Sequence, residues 1–258
     1  MERHTALITG SATGLGKKTA IELAKQGVNV ILNSVTSLGK ANELKDFIEN
    51  NYPVQAIVIQ GDISTYSECE RIVSSANDRM GGINILINNA GAYIVERKDM
   101  VNYDLHEWEK VIQVNLTSVF YLAKLVMPTM RQNRWGRIIN MGFDRAETAP
   151  GWRYRSAFAA AKTGLVSLTK TLAIEESENR ITVNMVCPGD ITGDFKEVNI
   201  KEVREVEDNY TPIGRPGTGE DIARVIAFLC HRDSDFITGS VIAVTGGKDV
   251  LTKYRYQS

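Results

Sequence analysis

A single rhythm governs this chain. Short β-branched or apolar runs alternate with longer segments of helical periodicity almost from end to end. Runs at 6–9, 28–32, 54–59, 83–87, 137–141, 181–186 and 241–244 read as strands, and 15–26, 38–49, 69–80, 105–130, 157–175 and 221–230 read as helices. Runs as apolar as 83–87 suit strands covered on both faces. Strand–helix–strand alternation makes βαβ units with right-handed crossovers, hence a parallel sheet. The expectation is an α/β fold with one doubly wound parallel sheet of about seven strands and helices on both faces. No Gly/Pro-rich linker, repeat or low-complexity stretch divides residues 1–258, so one domain is expected.

Two segments interrupt the rhythm. Residues 144–155 separate a strand from its helix and contain Pro150-Gly151 as turn punctuation. Residues 188–211 follow the sixth strand and include the charged run 201–208, read as the solvated face of a short helix. Both leave the C-terminal ends of strands, where ligands sit in an open α/β sheet.

Charge excludes other functions. With 30 basic and 31 acidic residues the net charge is −1, which suits neither a nucleic-acid nor a membrane-surface binder. Met1-Glu2-Arg3-His4 runs straight into a strand pattern, so no signal peptide is expected, and no apolar run reads as a membrane span. Cys69, Cys187 and Cys230 lack metal-ligand spacing, and the latter two lie in apolar stretches that suit buried thiols. No metal is expected, and a reducing, cytoplasmic setting is the default.

The first strand ends in Thr9-Gly10-Ser11-Ala12-Thr13-Gly14-Leu15-Gly16 and a helix follows. Gly10 allows a tight exit from the strand, while Gly14 and Gly16 let backbone approach a pyrophosphate and let the helix pack closely. The helix N-terminus then offers free N–H groups and a positive dipole end to the phosphates. This strand–turn–helix context is that of a Rossmann-type dinucleotide site.

The Thr-Gly-x-x-x-Gly-x-Gly spacing resembles the short-chain dehydrogenase/reductase superfamily, and further marks follow in order. They are Gly61-Asp62-Ile63, Asn88-Asn89-Ala90-Gly91, Asn115 in Val114-Asn115-Leu116-Thr117, Lys162 in Ala159-Ala160-Ala161-Lys162, Pro188-Gly189, Pro212-Ile213-Gly214-Arg215 and Ile237-Thr238-Gly239. The resemblance covers essentially the whole chain and is strongest to 3-oxoacyl-(acyl-carrier-protein) reductases. It implies NAD or NADP, held by Gly10, Ser11, Thr13, Gly14, Leu15, Gly16, Asn33, Ser34, Asp62, Ile63, Asn89, Ala90, Gly91, Lys162, Pro188, Gly189, Ile191 and Thr192. Asn33 and Ser34 end the second strand where a carboxylate would repel a 2′-phosphate, so NADP is slightly favoured. Lys40 is the nearest cation after that strand and reads as a solvated helix lysine. The implied partner is a small carbonyl or alcohol, or an acyl carrier thioester. By analogy with family tetramers, helices 105–130 and 157–175 would build a homotetramer.

Family chemistry moves hydride between nicotinamide and a carbonyl or alcohol. A Tyr protonates the oxygen, a Lys one turn later assists it, a Ser donates to the oxygen, and an Asn anchors a water linked to the Lys. This sequence retains Asn115 and Lys162, but Phe158 stands at the Tyr position and Phe143 at the Ser position. The Phe143–Phe158 interval exceeds the family spacing by two residues, so the intervening loop is enlarged. Gly193 replaces the Thr of Pro-Gly-x-x-x-Thr, with Thr192 one residue early. Phenylalanine neither donates nor accepts a proton.

Three readings follow. In the first, an active reductase uses a relocated donor, either Tyr154 or Tyr93, each of which also suits a packing role in the pocket wall. In the second, the chain binds dinucleotide without catalysis, as a sensor or partner subunit. In the third, Asp144 or the Arg153/Arg155 pair supports different chemistry on an acidic substrate, against the plainer reading of solvent-exposed loop charges.

Overall fold

Alternate residues of each strand face opposite ways, and here both ways are apolar. In the first strand Ala6 and Ile8 enter one core and Leu7 the other, and all three are fully buried. The computed structural model describes residues 4–249. Its strands are β1 (Thr5–Ile8), β2 (Asn29–Ser34), β3 (Ala56–Gln60), β4 (Ile85–Asn88), β5 (Gly136–Met141), β6 (Ile181–Pro188) and β7 (Val241–Val244). Every pairing is parallel, in the order β3-β2-β1-β4-β5-β6-β7. The expected seven-stranded, doubly wound parallel sheet is therefore present. The chain winds outward from β1 to β3, then returns to place β4 on the other side of β1. This reversal opens a crevice at the C-terminal ends of β1 and β4.

Helices α1 (Gly14–Lys25), α2 (Leu38–Asn51) and α8 (Gly219–Cys230) pack on one face through Leu23, Ile48 and Ile226. On the other face α3 (Tyr66–Met80) and α5 (Ser118–Asn133) contribute Ile72, Leu122 and Val126, and α6 (Ser156–Glu175) adds Leu165 and Val166. Thr218 caps α8, its hydroxyl taking the Asp221 N–H while the Asp221 carboxylate takes the Thr218 N–H. The three cysteines are buried, and burial pushes each thiol up to about 12.

Three expectations need correction. The helix read at 105–130 extends to Asn133, but it is α4 (Leu105–Ile112) joined to α5 by a π-turn at Gln113–Thr117. This same 29-residue stretch is long and apolar enough by composition to pass as a membrane span, contrary to the first reading. Its apolar side is spent on the sheet, where Val119, Leu122, Ala123, Val126 and Met130 are buried, so it reads as a core helix. The charged run 201–208 is helical only through α7 (Ile200–Val203); Arg204 and Glu205 lie in a turn and Glu207 and Asp208 in irregular backbone.

Candidate active site

The crevice is laced together before any ligand enters. The Thr9 hydroxyl accepts from the N–H groups of Asn89 and Ala90, at 3.0 and 2.9 Å. In return the Asn89 amide donates to the carbonyls of Thr9 and Gly10, at 2.9 and 3.0 Å. Gly10 and Gly14 take the left-handed conformation, with φ of +62° and +61°. A Cβ on Gly16 would sit 2.6 Å from both Asn89 Nδ2 and Gly10 O, so α1 packs here only with glycine. Thr13 starts α1 without a side-chain cap, leaving first-turn N–H groups facing the crevice. A helix N-terminus not capped by its own Thr13 side chain, over a glycine turn, suits a pyrophosphate.

A carboxylate already uses part of that terminus. Gly14 N–H donates to Glu197 Oε1 at 2.8 Å, and Lys17 Nζ meets Glu197 Oε2 at 2.6 Å. Burial raises the Glu197 carboxyl, but Lys17 and the Gly14 N–H outweigh it and hold the group below its ordinary range. Sequence reading missed Glu197, because 183 residues separate it from Gly14. Leu15 and Gly16 complete the turn. Ser11 N–H bonds to the Asn33 carbonyl at 3.0 Å. The Asn33 side chain joins β2 to β3 through Ile59 O and Gly61 O, and Ser34 Oγ accepts from Ser37 N–H. Asp62 is exposed in a groove with Val35, Gly61 and Arg71, and Ile63 is buried behind it. Gly91 lies against Asn115.

Beside the glycine turn lies a cavity of about 330 Å³ whose floor is aromatic. Phe143, just past β5, is 5 % exposed. Its ring centroid is 5.1 Å from Trp152 and 6.0 Å from Phe158, and Trp152 and Phe158 stand edge to face at 6.0 Å. Tyr93 closes the set, edge-on to Phe158 at 6.3 Å. Asp144, Arg155, Asp190 and Lys196 supply the polar lining, and Pro188, Gly189 and Ile191 form the β6 side. Asp190 pairs with Lys248 at 3.5 Å. Gly189 has to be small, since a Cβ there would meet Thr245 Cα at 2.8 Å. Thr192 is exposed just beyond Ile191.

Tyr154 is placed differently. Helix α6 begins at Ser156, so Tyr154 precedes it, in a left-handed conformation with φ of +65°. The Arg153 guanidinium covers its ring at 4.6 Å, its carbonyl accepts from Tyr103 Oη, and it does not line the cavity.

Lys162 and Asn115 lie behind the aromatic floor. Lys162 is one helical turn past Phe158, and its ammonium is 5.7 Å from that ring. Its Nζ donates to Met141 O at 2.7 Å, and desolvation pulls its pKa down to about 8. The π-turn carries Asn115 into the interior, where Nδ2 donates to Ala92 O at 2.6 Å and Val111 O at 2.8 Å. Among the described residues Asn115 Oδ1 is a buried acceptor without a partner.

Strand order, glycine turn and this gathering of side chains place the molecule among the Rossmann-type dehydrogenases. Comparison with known proteins narrows the class: the chain belongs to the short-chain dehydrogenase/reductase superfamily. Residues 10–249 match the family model described as enoyl-(acyl carrier protein) reductase. The chain is 49% identical to YtkK of Bacillus subtilis, named as a candidate oxidoreductase, over 97% of this chain and 98% of that one. It is 33% identical to the 3-oxoacyl-[acyl-carrier-protein] reductase FabG of Aquifex aeolicus, over 96% and 98%. A Bacillus thuringiensis structure described as a candidate 3-oxoacyl-reductase superposes with a TM-score of 0.90 at 49% identity, covering 97% and 100%. A metagenomic blue fluorescent protein solved with NADPH superposes with a TM-score of 0.81 at 28% identity, covering 95% and 97%. The chain is thus a short-chain-type oxidoreductase that resembles 3-oxoacyl-(acyl-carrier-protein) reductases.

Proposed function

We propose that this chain is an NAD(P)H-dependent carbonyl reductase, running in reverse as an alcohol dehydrogenase. Its substrate is a small carbonyl or alcohol, or an acyl carrier thioester. In this reading Phe143 and Phe158 stand where family members carry Ser and Tyr. One observation carries it: Lys162 and Asn115 stand behind the aromatic floor of a cavity that opens beside a glycine turn and the N-terminus of α1. When bound, the dinucleotide supplies hydride to a carbonyl carbon or takes it from an alcohol carbon. The α1 terminus and glycine turn hold the pyrophosphate, and the aromatic floor shields the reacting carbon from water.

NADP is preferred over NAD because no carboxylate ends β2; the cavity between α1 and α2 is lined by Lys17 and Lys40 on one hand and Glu43 and Glu197 on the other, and adds nothing to the choice. The protein works in the cytoplasm as a homotetramer built on α4–α5 and α6.

A second reading, a dinucleotide-binding sensor or partner without turnover, is favoured by the packing of Phe143, Trp152 and Phe158 against one another. Calorimetric titration with NADPH and NADH, beside NAD(P)H consumption on ethyl acetoacetate, diacetyl and an acetoacetyl thioester, separates the two. Binding with turnover supports the reductase, binding alone supports the sensor, and absence of binding defeats both.

A further inference from the structure

The geometry points to Tyr93 as the proton donor of this site, in a position outside the family's Tyr-Lys motif. This rests on the reductase reading above. A reductase needs an acid at the carbonyl oxygen, and the cavity lining narrows the choice. Arg155 is a cation committed to the carbonyls of Ile94 and Tyr154, and Asp190 is ion-paired with Lys248. Asp144 is buried and already engaged with a partner, and Lys196 is exposed beside Gly14, on the phosphate side. Lys162 is turned away onto Met141 O and does not line the cavity. Tyr93 is the neutral acid that remains.

Two backbone bonds and two ring contacts hold it. On one side Asn115 Nδ2 grips the carbonyl of Ala92 at 2.6 Å. On the other Arg155 Nη1 grips the carbonyl of Ile94 at 2.8 Å. The ring itself lies between the edge contact with Phe158 and the Arg155 guanidinium, 5.4 Å from its centroid. Arg155 ends the enlarged loop, so the loop acquires a purpose: it delivers the arginine that clamps Tyr93. Asn115 and Arg155 are positioning residues, while Tyr93 alone meets the substrate.

The step balances without further reagents. As hydride adds to the carbonyl carbon, the C=O π pair moves onto oxygen and the Tyr93 O–H gives that oxygen its proton. The phenolate then takes a proton from water. Tyr93 is 55% exposed, so water reaches it directly and no buried relay through Lys162 is required.

The test uses wild type and Tyr93→Phe, with NADPH and with ethyl acetoacetate and diacetyl as probes. The variant keeps the ring, both backbone anchors and the guanidinium contact. Its kcat should fall ~10²-fold or more, while NADPH affinity by titration and KM each stay within about threefold of wild type. Arg155→Ala should lower kcat less than Tyr93→Phe does and leave NADPH affinity unchanged. A Tyr93→Phe enzyme with kcat within threefold of wild type overturns Tyr93 alone and leaves the reductase reading standing. A wild type that binds NADPH but reduces neither probe nor an acetoacetyl thioester overturns the two together.

Discussion

Phe158 and Lys162 share one face of α6, a turn apart, with the ammonium 5.7 Å from the ring centroid, so a hydroxyl added to that ring would lie within the field of the ammonium. Phe158→Tyr adds one oxygen to a half-buried ring and should be tolerated. Phe143→Ser empties a buried site at a cost of about 3–5 kcal/mol, lessened if water refills it. The double variant should reduce ethyl acetoacetate faster than wild type with a lower Tm, and Phe158→Tyr alone should recover part of the gain. A folded, NADPH-saturated double variant no faster than wild type would sever the family mechanism from this chain. Lys162 makes a second prediction. Its pKa is about 8 in the fold against an ordinary 10.5, so below pH 8 the buried ammonium destabilises the protein. That penalty disappears as pH climbs from 8 to 10.5, because there the unfolded chain binds the extra proton. The stability advantage of Lys162→Met over wild type, read by urea unfolding, should therefore shrink by up to about 3 kcal/mol across that window. An advantage that stays flat would place the ammonium in a solvated site. Both phenylalanines and Lys162 stand out in the sequence because each sits at fixed spacing within a motif. The inward bond to Met141 and the clamp on Tyr93 were hidden, since partners 21 and 61 residues apart leave no local pattern.

At the scale of elements, hydrophobic period carried most of the information. Buried parallel strands read as apolar runs, and α1, α3 and α8 show one apolar face each. Boundaries shifted by a few residues where caps rather than periodicity decide them, as where the Thr65 cap starts α3 at Tyr66, three residues before Cys69. The π-turn escaped notice for a related reason. A single inserted residue leaves the apolar stripe nearly continuous while rotating Asn115 inward. The junction of β1, its glycine turn and α1 yields a test. Gly16→Ala forces a methyl group against backbone and the Asn89 amide, which cannot yield without unlacing β1 from β4. It should cost about 1–3 kcal/mol in thermal unfolding and abolish the thermal shift given by NADPH. Wild-type stability with intact binding would mean that the Asn89 lacing is dispensable.

For the whole molecule, the order of strands decides where chemistry can occur. The reversal at β1 and β4 places the turns after β1, β4, β5 and β6 along one edge, so residues distant in sequence converge there. Alternation of strand and helix made this sheet foreseeable. It could not reveal which loops meet across the edge, because those meetings depend on loop paths rather than on composition. The segment following β6 is the clearest case. It crosses the crevice and fastens to α1 through Glu197 and through Asn199, which accepts from Lys18 at 2.5 Å.

That fastening turns ligand entry into an exchange of anions. A phosphate seated on the α1 terminus, as proposed above, would displace a resident carboxylate, and the affinity measured there would be the difference between two anions competing for the same N–H and ammonium. Glu197→Gln weakens the incumbent and should tighten NADPH binding, up to about fivefold given the partial exposure of the pair. It should also loosen the segment beyond β6, seen as faster amide exchange across 193–203. Equal NADPH affinity in the two proteins would mean that the carboxylate and the phosphates occupy separate ground. Tighter binding by the variant would mean that the segment beyond β6 is held on α1 by the very charge that a bound phosphate replaces.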